Sequence, residues 1–171
     1  HAYHKAASEH KMQVAQVLLT SDDIDNATRC VNARNTFEKL LAHKIIPIVN
    51  ENDSVATDEL KFGDNDCLAA HLVQMLGVKK LIILTNVDGV YDRHPGDLAA
   101  QHIPIVNDAT EHLTAAVGKN SLGSGGMHTK LQAAHIAQQS NCNTYIGNGN
   151  GAKPVSDILN NQATHTLCIA K

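Results

Sequence analysis

Residues 64–91 read DNDCLAAHLVQMLGVKKLIILTNVDGVY, and this stretch contains a helix signal followed by a strand signal. Apolar residues from Leu68 to Met75 recur at helical spacing after the acidic start at Asp64. Gly77 is suited to end this helix, because glycine adopts the left-handed conformation readily. The apolar run 80–85 has the length and composition of a strand buried on both faces. A helix followed directly by such a strand is typical of a parallel α/β sheet.

The same alternation extends along the whole chain, with no internal repeat or linker. Strands are predicted at 12–19, 45–49, 80–85, 103–107, 143–146 and 165–170. Helices are predicted at 22–43, with Asp22 or Asp23 as N-cap, and at 64–76, 108–117, 129–139 and 155–160. The alternating stretch 55–62 predicts a small hairpin. The sequence therefore predicts an α/β fold, a three-layer αβα sandwich with a mainly parallel central sheet.

Composition excludes several functional classes. The 171 residues carry a net charge of −3 without a basic stripe, so no nucleic-acid partner is expected. No apolar run reaches the ~20 residues of a membrane span, and no signal peptide opens the chain. Hydrophobic residues make up 43% and aromatics only 3%, which predicts an aliphatic core. The four cysteines form no CxxC pair, and reduced thiols in a cytoplasmic protein are the simplest interpretation.

Two polar segments are candidates for an acceptor pocket. Residues 50–54, NENDS, follow a predicted strand, and residues 63–67, GDNDC, open a predicted helix. Amide side chains can donate to a carboxylate, and carboxylates can receive an ammonium group. The simpler alternatives are an ordinary polar turn for the first segment and a helix N-cap at Asp64 for the second. Their proximity in sequence favours a shared site.

Two further segments are candidates for a nucleotide site. Residues 84–91, LTNVDGVY, follow the strongest predicted strand, and residues 123–130, GSGGMHTK, lead into a helix. Glycines let a backbone approach phosphates closely, and Lys130 supplies positive charge. The order of residues does not match a P-loop. A plain strand-to-turn transition and a flexible glycine-rich surface loop are the alternatives.

Three stretches carry a family resemblance: IPIVNENDSVATDELKFGDND at 46–66, LTNVDGVYD at 84–92 and SLGSGGMHTKLQAA at 121–134. Together they closely resemble the glutamate 5-kinases, a branch of the amino acid kinase family, and the resemblance covers essentially the whole chain. It implies the amino acid kinase fold. It also implies ATP-dependent phosphorylation of the L-glutamate side-chain carboxylate to L-glutamyl 5-phosphate, at the entry to proline biosynthesis.

The resemblance implies a role for each site residue. Asp66 is expected to organise the active site, and Lys130 to lie near the transferred phosphoryl group. The implied glutamate contacts are Asn50, Asp53, Asp64 and Asn65. The implied ATP contacts are Thr85, Asn86, Ser124, Gly125, Gly126, Met127, His128, Thr129 and Lys130. Proline as a feedback inhibitor and a homo-oligomeric assembly are implied as well.

The implied chemistry needs no protein nucleophile. Both reacting partners are anions, so positive charge, N–H groups and Mg²⁺ must offset their repulsion, with the metal held without direct protein ligands. A carboxylate acceptor is already ionised at neutral pH, so no general base is required. Asp66 is then expected to orient catalytic lysines. Asp53, Asp66 and Lys130 are expected to converge on one cleft.

The chain also departs from the family pattern. The expected first strand with its lysine, and a later SSGA-type turn, are not found before His1, so the chain is expected to hold the larger C-terminal part of the domain, residues 1–171, and to be weakly active alone. Asn86 stands where the family often has Asp. The stretch around residues 95–97 is shorter than in many relatives, and a PUA domain, found in some relatives, is not expected.

Two alternatives to a glutamate kinase stay open. One is a sister kinase that phosphorylates a different acceptor. The other is a non-catalytic module that binds nucleotide or proline, or drives oligomerisation, and it is favoured by the absent N-terminal lysine. ATP turnover that depends on glutamate distinguishes a glutamate kinase from a sister kinase. Thermal stabilisation of the chain by a ligand, without phosphoryl transfer, identifies a non-catalytic module.

Overall fold

The computed structural model describes residues 2–54, 64–116 and 126–171. The chain divides into two compact units, His1–Leu68 and Ala69–Lys171. Each unit combines helices with parallel strand pairs, which confirms the predicted α/β class. The predicted hairpin at 55–62 lies outside the described residues.

The first unit is built around a two-stranded parallel sheet. Its elements are α1 (Ala2–Glu9), β1 (Gln13–Leu19), α2 (Asp22–Asp25), α3 (Ala27–Ala42) and β2 (Ile45–Glu51). The two strands pair along their whole length, so that their carboxyl ends lie side by side at Leu19 and Glu51. Helix α1 packs against β1, and α3 packs against β2. Phe37 of α3 is the largest fully buried side chain of this unit.

The single helix predicted over 22–43 is wrong, because two helices occupy that stretch. Asn26 has an extended backbone and ends α2. Its side chain then caps α3 by accepting hydrogen bonds from the backbone N–H groups of Thr28 at 3.1 Å and Arg29 at 3.2 Å. Asparagine at this position satisfies two N–H groups that would otherwise lack partners.

The predicted N-cap at Asp22 or Asp23 is also wrong. Ser21 occupies the N-cap position of α2 and makes no side-chain cap bond. The carboxylate of Asp23 instead accepts from the N–H of Thr20 at 2.8 Å and from its hydroxyl at 2.9 Å. Burial alone would raise the pKa of Asp23, but the hydrogen bonds from Thr20 and Arg29 outweigh it and lower that pKa.

The second unit contains a four-stranded sheet in the order β3-β7-β8-β6 and a short β4-β5 pair. The sheet pairs β3 with β7 and β6 with β8 in parallel, and β7 with β8 antiparallel. Helix α4 (Asn65–Leu76) starts in the first unit and continues into the second. The other elements are β3 (Lys80–Thr85), β4 (Val90–Tyr91), β5 (His102–Ile103), β6 (Ile105–Val106), α5 (Ala109–Ala116), α6 (Gly126–Gln139), β7 (Asn143–Asn148), α7 (Pro154–Leu159) and β8 (His165–Cys168).

The predicted boundaries hold best where the apolar pattern is strongest. Strand β3 spans the predicted run 80–85, and Gly77 follows α4 with a φ of +65°. The strand predicted at 103–107 is divided at Pro104 into β5, which pairs with β4, and β6, which pairs with β8. Within residues 2–54, 64–116 and 126–171, no helix is long and apolar enough to cross a membrane.

The core of the second unit is aliphatic, as predicted. Leu131 and three alanines of α6, at positions 133, 134 and 137, are fully buried, as is Ile146 of β7. Small side chains on this face bring α6 close to the sheet. One polar side chain, Gln138, is fully buried in the same helix and makes several hydrogen bonds.

Replacing Gly89 by alanine should destabilise the protein more than replacing Gly77. Both residues have positive φ, +148° and +65°, which costs a residue with a Cβ roughly 1–3 kcal/mol. At Gly89 a Cβ would also lie 2.5 Å from the Thr166 hydroxyl and 2.7 Å from His102 Nε2, whereas at Gly77 it would meet nothing within 4 Å. Urea unfolding of both variants measures the difference, and equal losses would contradict the packing explanation.

The four thiols should differ widely in reactivity. Cys142 and Cys168 are fully buried, whereas Cys30 and Cys67 are half-buried. Burial raises the pKa of Cys168 to about 12, and it also raises the pKa of Cys142. We expect iodoacetamide to modify Cys30 first and the two buried thiols only on unfolding, which peptide mass spectrometry measures. Native labelling of Cys168 as fast as Cys30 would contradict the described core.

The same thiols give stability a pH dependence. A raised pKa in the folded state means that the unfolded chain loses the thiol proton more easily. The contribution of Cys168 is therefore intact below the ordinary pKa of 9.0 and is lost progressively as the pH rises towards about 12. As the pH rises from 9.0 towards about 12, a Cys168→Ala variant should lose less unfolding free energy than the parent.

Candidate functional site

Two of the predicted glutamate contacts, Asn50 and Asn65, line the same cavity of the first unit. Asn50 lies near the carboxyl end of β2, and Asn65 is the first residue of α4. The cavity measures about 560 Å³, and its lining also includes Gln16 of β1 and His4 of α1. Neutral amide groups beside aliphatic side chains suit a small polar ligand.

The acidic residues of the same predicted site cluster in sequence at the start of α4. The carboxylate of Asp64 accepts from the backbone N–H of Asp66 at 2.6 Å, so the predicted N-cap role of Asp64 is confirmed. The pKa of the neighbouring Cys67 is raised by burial and then by the negative charges of Asp64 and Asp66. Asp53 lies in the exposed turn after β2. The start of α4 is therefore electronegative and suited to hold a cationic group.

Metal binding depends on which donor side chains lie close together. Across the described ranges 2–54, 64–116 and 126–171, no group of three or more His, Cys, Asp or Glu side chains could hold a metal ion. Mg²⁺ in phosphoryl-transfer sites is commonly held by substrate phosphates and one or two carboxylates, so the residues present fit such a metal. That the metal would be held without direct protein ligands stays a prediction.

In the second unit, the carboxyl ends of β3 and β7 meet, as the parallel-sheet rule predicts. Thr85 pairs with Asn148 across the two strands. The N–H of Gly149 donates to the Thr85 carbonyl at 2.8 Å, and the side-chain amide of Asn148 donates to Asp88 at 3.1 Å. We call Thr85, Asn86, Asp88 and Asn148 the strand-end cluster.

The parallel-sheet rule predicts that residues 85–88 and 147–151 lie along one edge of the sheet, although it predicts no specific contact for Asn148. The structure brings the two segments together, and Asn148 lies sixty residues after its partner Asp88. The predicted contacts Thr85 and Asn86 are joined by a hydrogen bond of 3.3 Å between their side chains.

The predicted phosphate-binding residues form the first turn of α6, which starts earlier than predicted, at Gly126. Among the residues that the structure describes, a Cβ at Gly126 would meet nothing within 4 Å. The Thr129 hydroxyl donates to the Gly126 carbonyl at 3.1 Å, and Met127 is buried. Free N–H groups and the dipole of a helix start attract anions. The residues present therefore fit a nucleotide phosphate.

Two residues of this turn add polar groups. The Nδ1 atom of His128 is buried and has no hydrogen-bond partner within the described part of the chain. Lys130 is half-buried in the same turn. Ser124 and Gly125 lie outside the described residues. The predicted convergence of Asp53, Asp66 and Lys130 on one cleft stays a prediction.

Curated relatives align over most of the chain. A glutamate 5-kinase from Clostridium acetobutylicum is 41% identical over 174 aligned residues and matches 100% of this chain. A glutamate 5-kinase from Caulobacter vibrioides is 43% identical over 162 residues and matches 92% of this chain. The chain spans 65% of the first relative's length and 43% of the second's.

Solved structures have the same fold at low sequence identity. The UMP kinase from Ureaplasma parvum superimposes with a TM-score of 0.68 at 19% identity, covering 98% of this chain and 65% of that one. The isopentenyl phosphate kinase from T. acidophilum, a product complex, gives 0.63 at 16% identity, covering 96% and 63%. The sequence profile of the amino acid kinase family matches residues 1–148. The chain therefore belongs to the amino acid kinase family.

Proposed function

We propose that this chain is the larger part of a glutamate 5-kinase, which transfers the γ-phosphoryl group of ATP to the side-chain carboxylate of L-glutamate. The observation that carries the proposal is the 41–43% identity to glutamate 5-kinases over 92–100% of the chain. Residues 1–171 would form one amino acid kinase domain. The product, L-glutamyl 5-phosphate, would enter proline biosynthesis.

On the acceptor side, Asn50 and Asn65 would bind glutamate in the 560 Å³ cavity that they line. Their amides can donate to the carboxylates of the amino acid, while Asp53 and Asp64 would receive its ammonium group. Asp66 would orient catalytic lysines rather than remove a proton, since a glutamate carboxylate is already ionised at neutral pH.

On the nucleotide side, the start of α6 at Gly126 supports binding of the ATP phosphates, because the N–H groups of a helix start attract anions. Lys130 would neutralise negative charge that develops on the transferred group, and the strand-end cluster would contact the nucleotide. Mg²⁺, when bound to the phosphates, supplies further neutralising charge. Inhibition by proline, a homo-oligomeric assembly and a cytoplasmic location are parts of the same proposal.

The test is an acceptor series in an ATP turnover assay. We expect ADP release that depends on L-glutamate, and not on aspartate, acetylglutamate or carbamate, with hydroxylamine trapping an acyl phosphate. Because the chain spans 65% of the Clostridium acetobutylicum relative, the assay includes a chimera that adds the part of that relative which this chain does not span. Turnover of the chimera with another acceptor would identify a sister kinase. ATP-induced stabilisation without transfer, in the chain and the chimera, would identify a binding module.

A further inference from the structure

The end of β7 and the loop that follows it contain both Asn–Gly pairs of the 171-residue sequence, Asn148-Gly149 and Asn150-Gly151. Asn–Gly pairs are prone to a spontaneous reaction, because glycine has no Cβ to obstruct attack by its own backbone nitrogen on the preceding side-chain amide. Two adjacent pairs with identical local chemistry should differ in this reaction only through the structure around them.

The first pair is held in place by three hydrogen bonds. The Gly149 N–H donates to the Thr85 carbonyl at 2.8 Å, so the attacking nitrogen is already bonded. The Asn148 side chain donates to Asp88 at 3.1 Å and accepts from the N–H of Asn150 at 2.9 Å. Rotation of the Asn148 side chain towards Gly149 would break both of its bonds. The structure therefore protects this pair.

The second pair lacks these restraints. Asn150 and Gly151 are both exposed. Among residues 2–54, 64–116 and 126–171, the Asn150 side chain and the Gly151 N–H have no hydrogen-bond partner. The backbone N–H of Asn150 is fixed by Asn148, while its side chain is left able to turn towards Gly151.

We infer that Asn150 is a site of spontaneous deamidation. The Gly151 backbone nitrogen loses its proton to solvent base and attacks the side-chain carbonyl carbon of Asn150. A C–N bond forms, the bond to the side-chain nitrogen breaks, and ammonia leaves after taking up a proton. Water then opens the resulting succinimide at either carbonyl, which yields aspartate or isoaspartate. No oxidation or reduction takes place, and water is the only co-reactant.

The product changes the charge of a loop that adjoins the strand-end cluster. Both aspartate and isoaspartate add a carboxylate two residues after Asn148, and isoaspartate also lengthens the backbone by one carbon. A new negative charge there should weaken the binding of a polyanionic nucleotide, since like charges repel. This consequence rests on the proposed function, whereas the modification itself does not.

The test is ageing of the purified chain at mildly alkaline pH, followed by chymotryptic digestion and mass spectrometry of the peptide that begins at Ile146. We expect conversion at Asn150 to proceed several-fold faster than at Asn148. Gly151→Ala is the matched variant, because its Cβ would meet only Asp157 Oδ2, at an ordinary 3.9 Å. It should suppress conversion at Asn150 and leave Asn148 unchanged. Equal rates at the two positions, or no effect of Gly151→Ala, would overturn the inference.

The consequence is measured separately with Asn150→Asp. We expect this variant to bind ATP several-fold more weakly than the parent in a thermal-shift titration, with unchanged stability when ATP is absent. Equal affinity would overturn the predicted effect on nucleotide binding. If the parent binds no ATP, the proposed function fails, while the mass-spectrometric result for Asn150 stands by itself.

Discussion

Replacing Asp66 by alanine should lower turnover about a hundredfold while the affinity for ATP changes little. Asp66 lies in the first turn of α4, where its charge and that of Asp64 raise the pKa of Cys67 in addition to burial. A carboxylate in such surroundings can hold a catalytic lysine in position. Steady-state ADP release gives turnover, and ATP-dependent stabilisation gives affinity.

The controls separate this role from helix stabilisation. Asp66→Asn keeps the side-chain shape and removes the charge, so it should lose nearly as much turnover as the alanine variant. Glu111→Ala removes an acid from the first turn of α5, outside every predicted site, and should leave turnover unchanged. Equal losses of turnover and ATP affinity in Asp66→Ala would reject the orienting role. If turnover of the chain is too slow to measure, the residue that aligns with Asp66 in the Clostridium acetobutylicum relative is replaced by alanine. Turnover and ATP affinity are then measured in that protein.

Replacing Gln138 by methionine should cost about 3 kcal/mol or more of unfolding free energy. The side chain is fully buried, and its Nε2 donates to the carbonyls of Asn107 at 3.0 Å and Ile169 at 2.8 Å. Its Oε1 accepts from the N–H of Ala109 at 3.0 Å. Methionine has a similar volume but leaves the N–H of Ala109 unpaired in the core and the two carbonyls unpaired in part-buried positions, which is the costly part.

The matched control is Gln132→Met, on an exposed position of the same helix. It changes the same side chain without removing a buried hydrogen bond and should change the unfolding free energy by less than about 0.5 kcal/mol. Urea unfolding followed by circular dichroism measures both variants. Similar losses at the two positions would show that the network around Gln138 adds nothing to stability.

Sequence patterns predicted the elements whose apolar pattern is continuous along the chain, but not how far they are buried: the predicted burial of run 80–85 on both faces is wrong, because Leu84 of β3 is 42% exposed. Strand β3 is a run of apolar residues with a single interpretation, so its bounds were predicted correctly. The break between α2 and α3 was missed, since asparagine is tolerated within helices and Asn26 caps only when the chain bends there. Local pattern does not show which of several polar residues near a helix end will serve as the cap.

Polar contacts between distant residues could not be predicted in the same way. Gln138 lies on a helix where a polar residue normally faces solvent, and its burial depends on backbone groups about thirty residues away. The pairing of Asp88 with Asn148 likewise depends on strand order in the sheet. Asn50 and Asn65 were predicted as glutamate contacts through the family resemblance, and the structure places both at one cavity.

A crystal structure of the chain with L-glutamate and a non-hydrolysable ATP analogue tests the proposed reaction most directly. We expect the glutamate carboxylate to contact Asn50 and Asn65, the terminal phosphate to lie beside Gly126 and Lys130, and the reacting oxygen to come within about 3.5 Å of the terminal phosphorus. Glutamate bound away from Asn50 and Asn65, or a nucleotide bound away from the start of α6, would contradict the account.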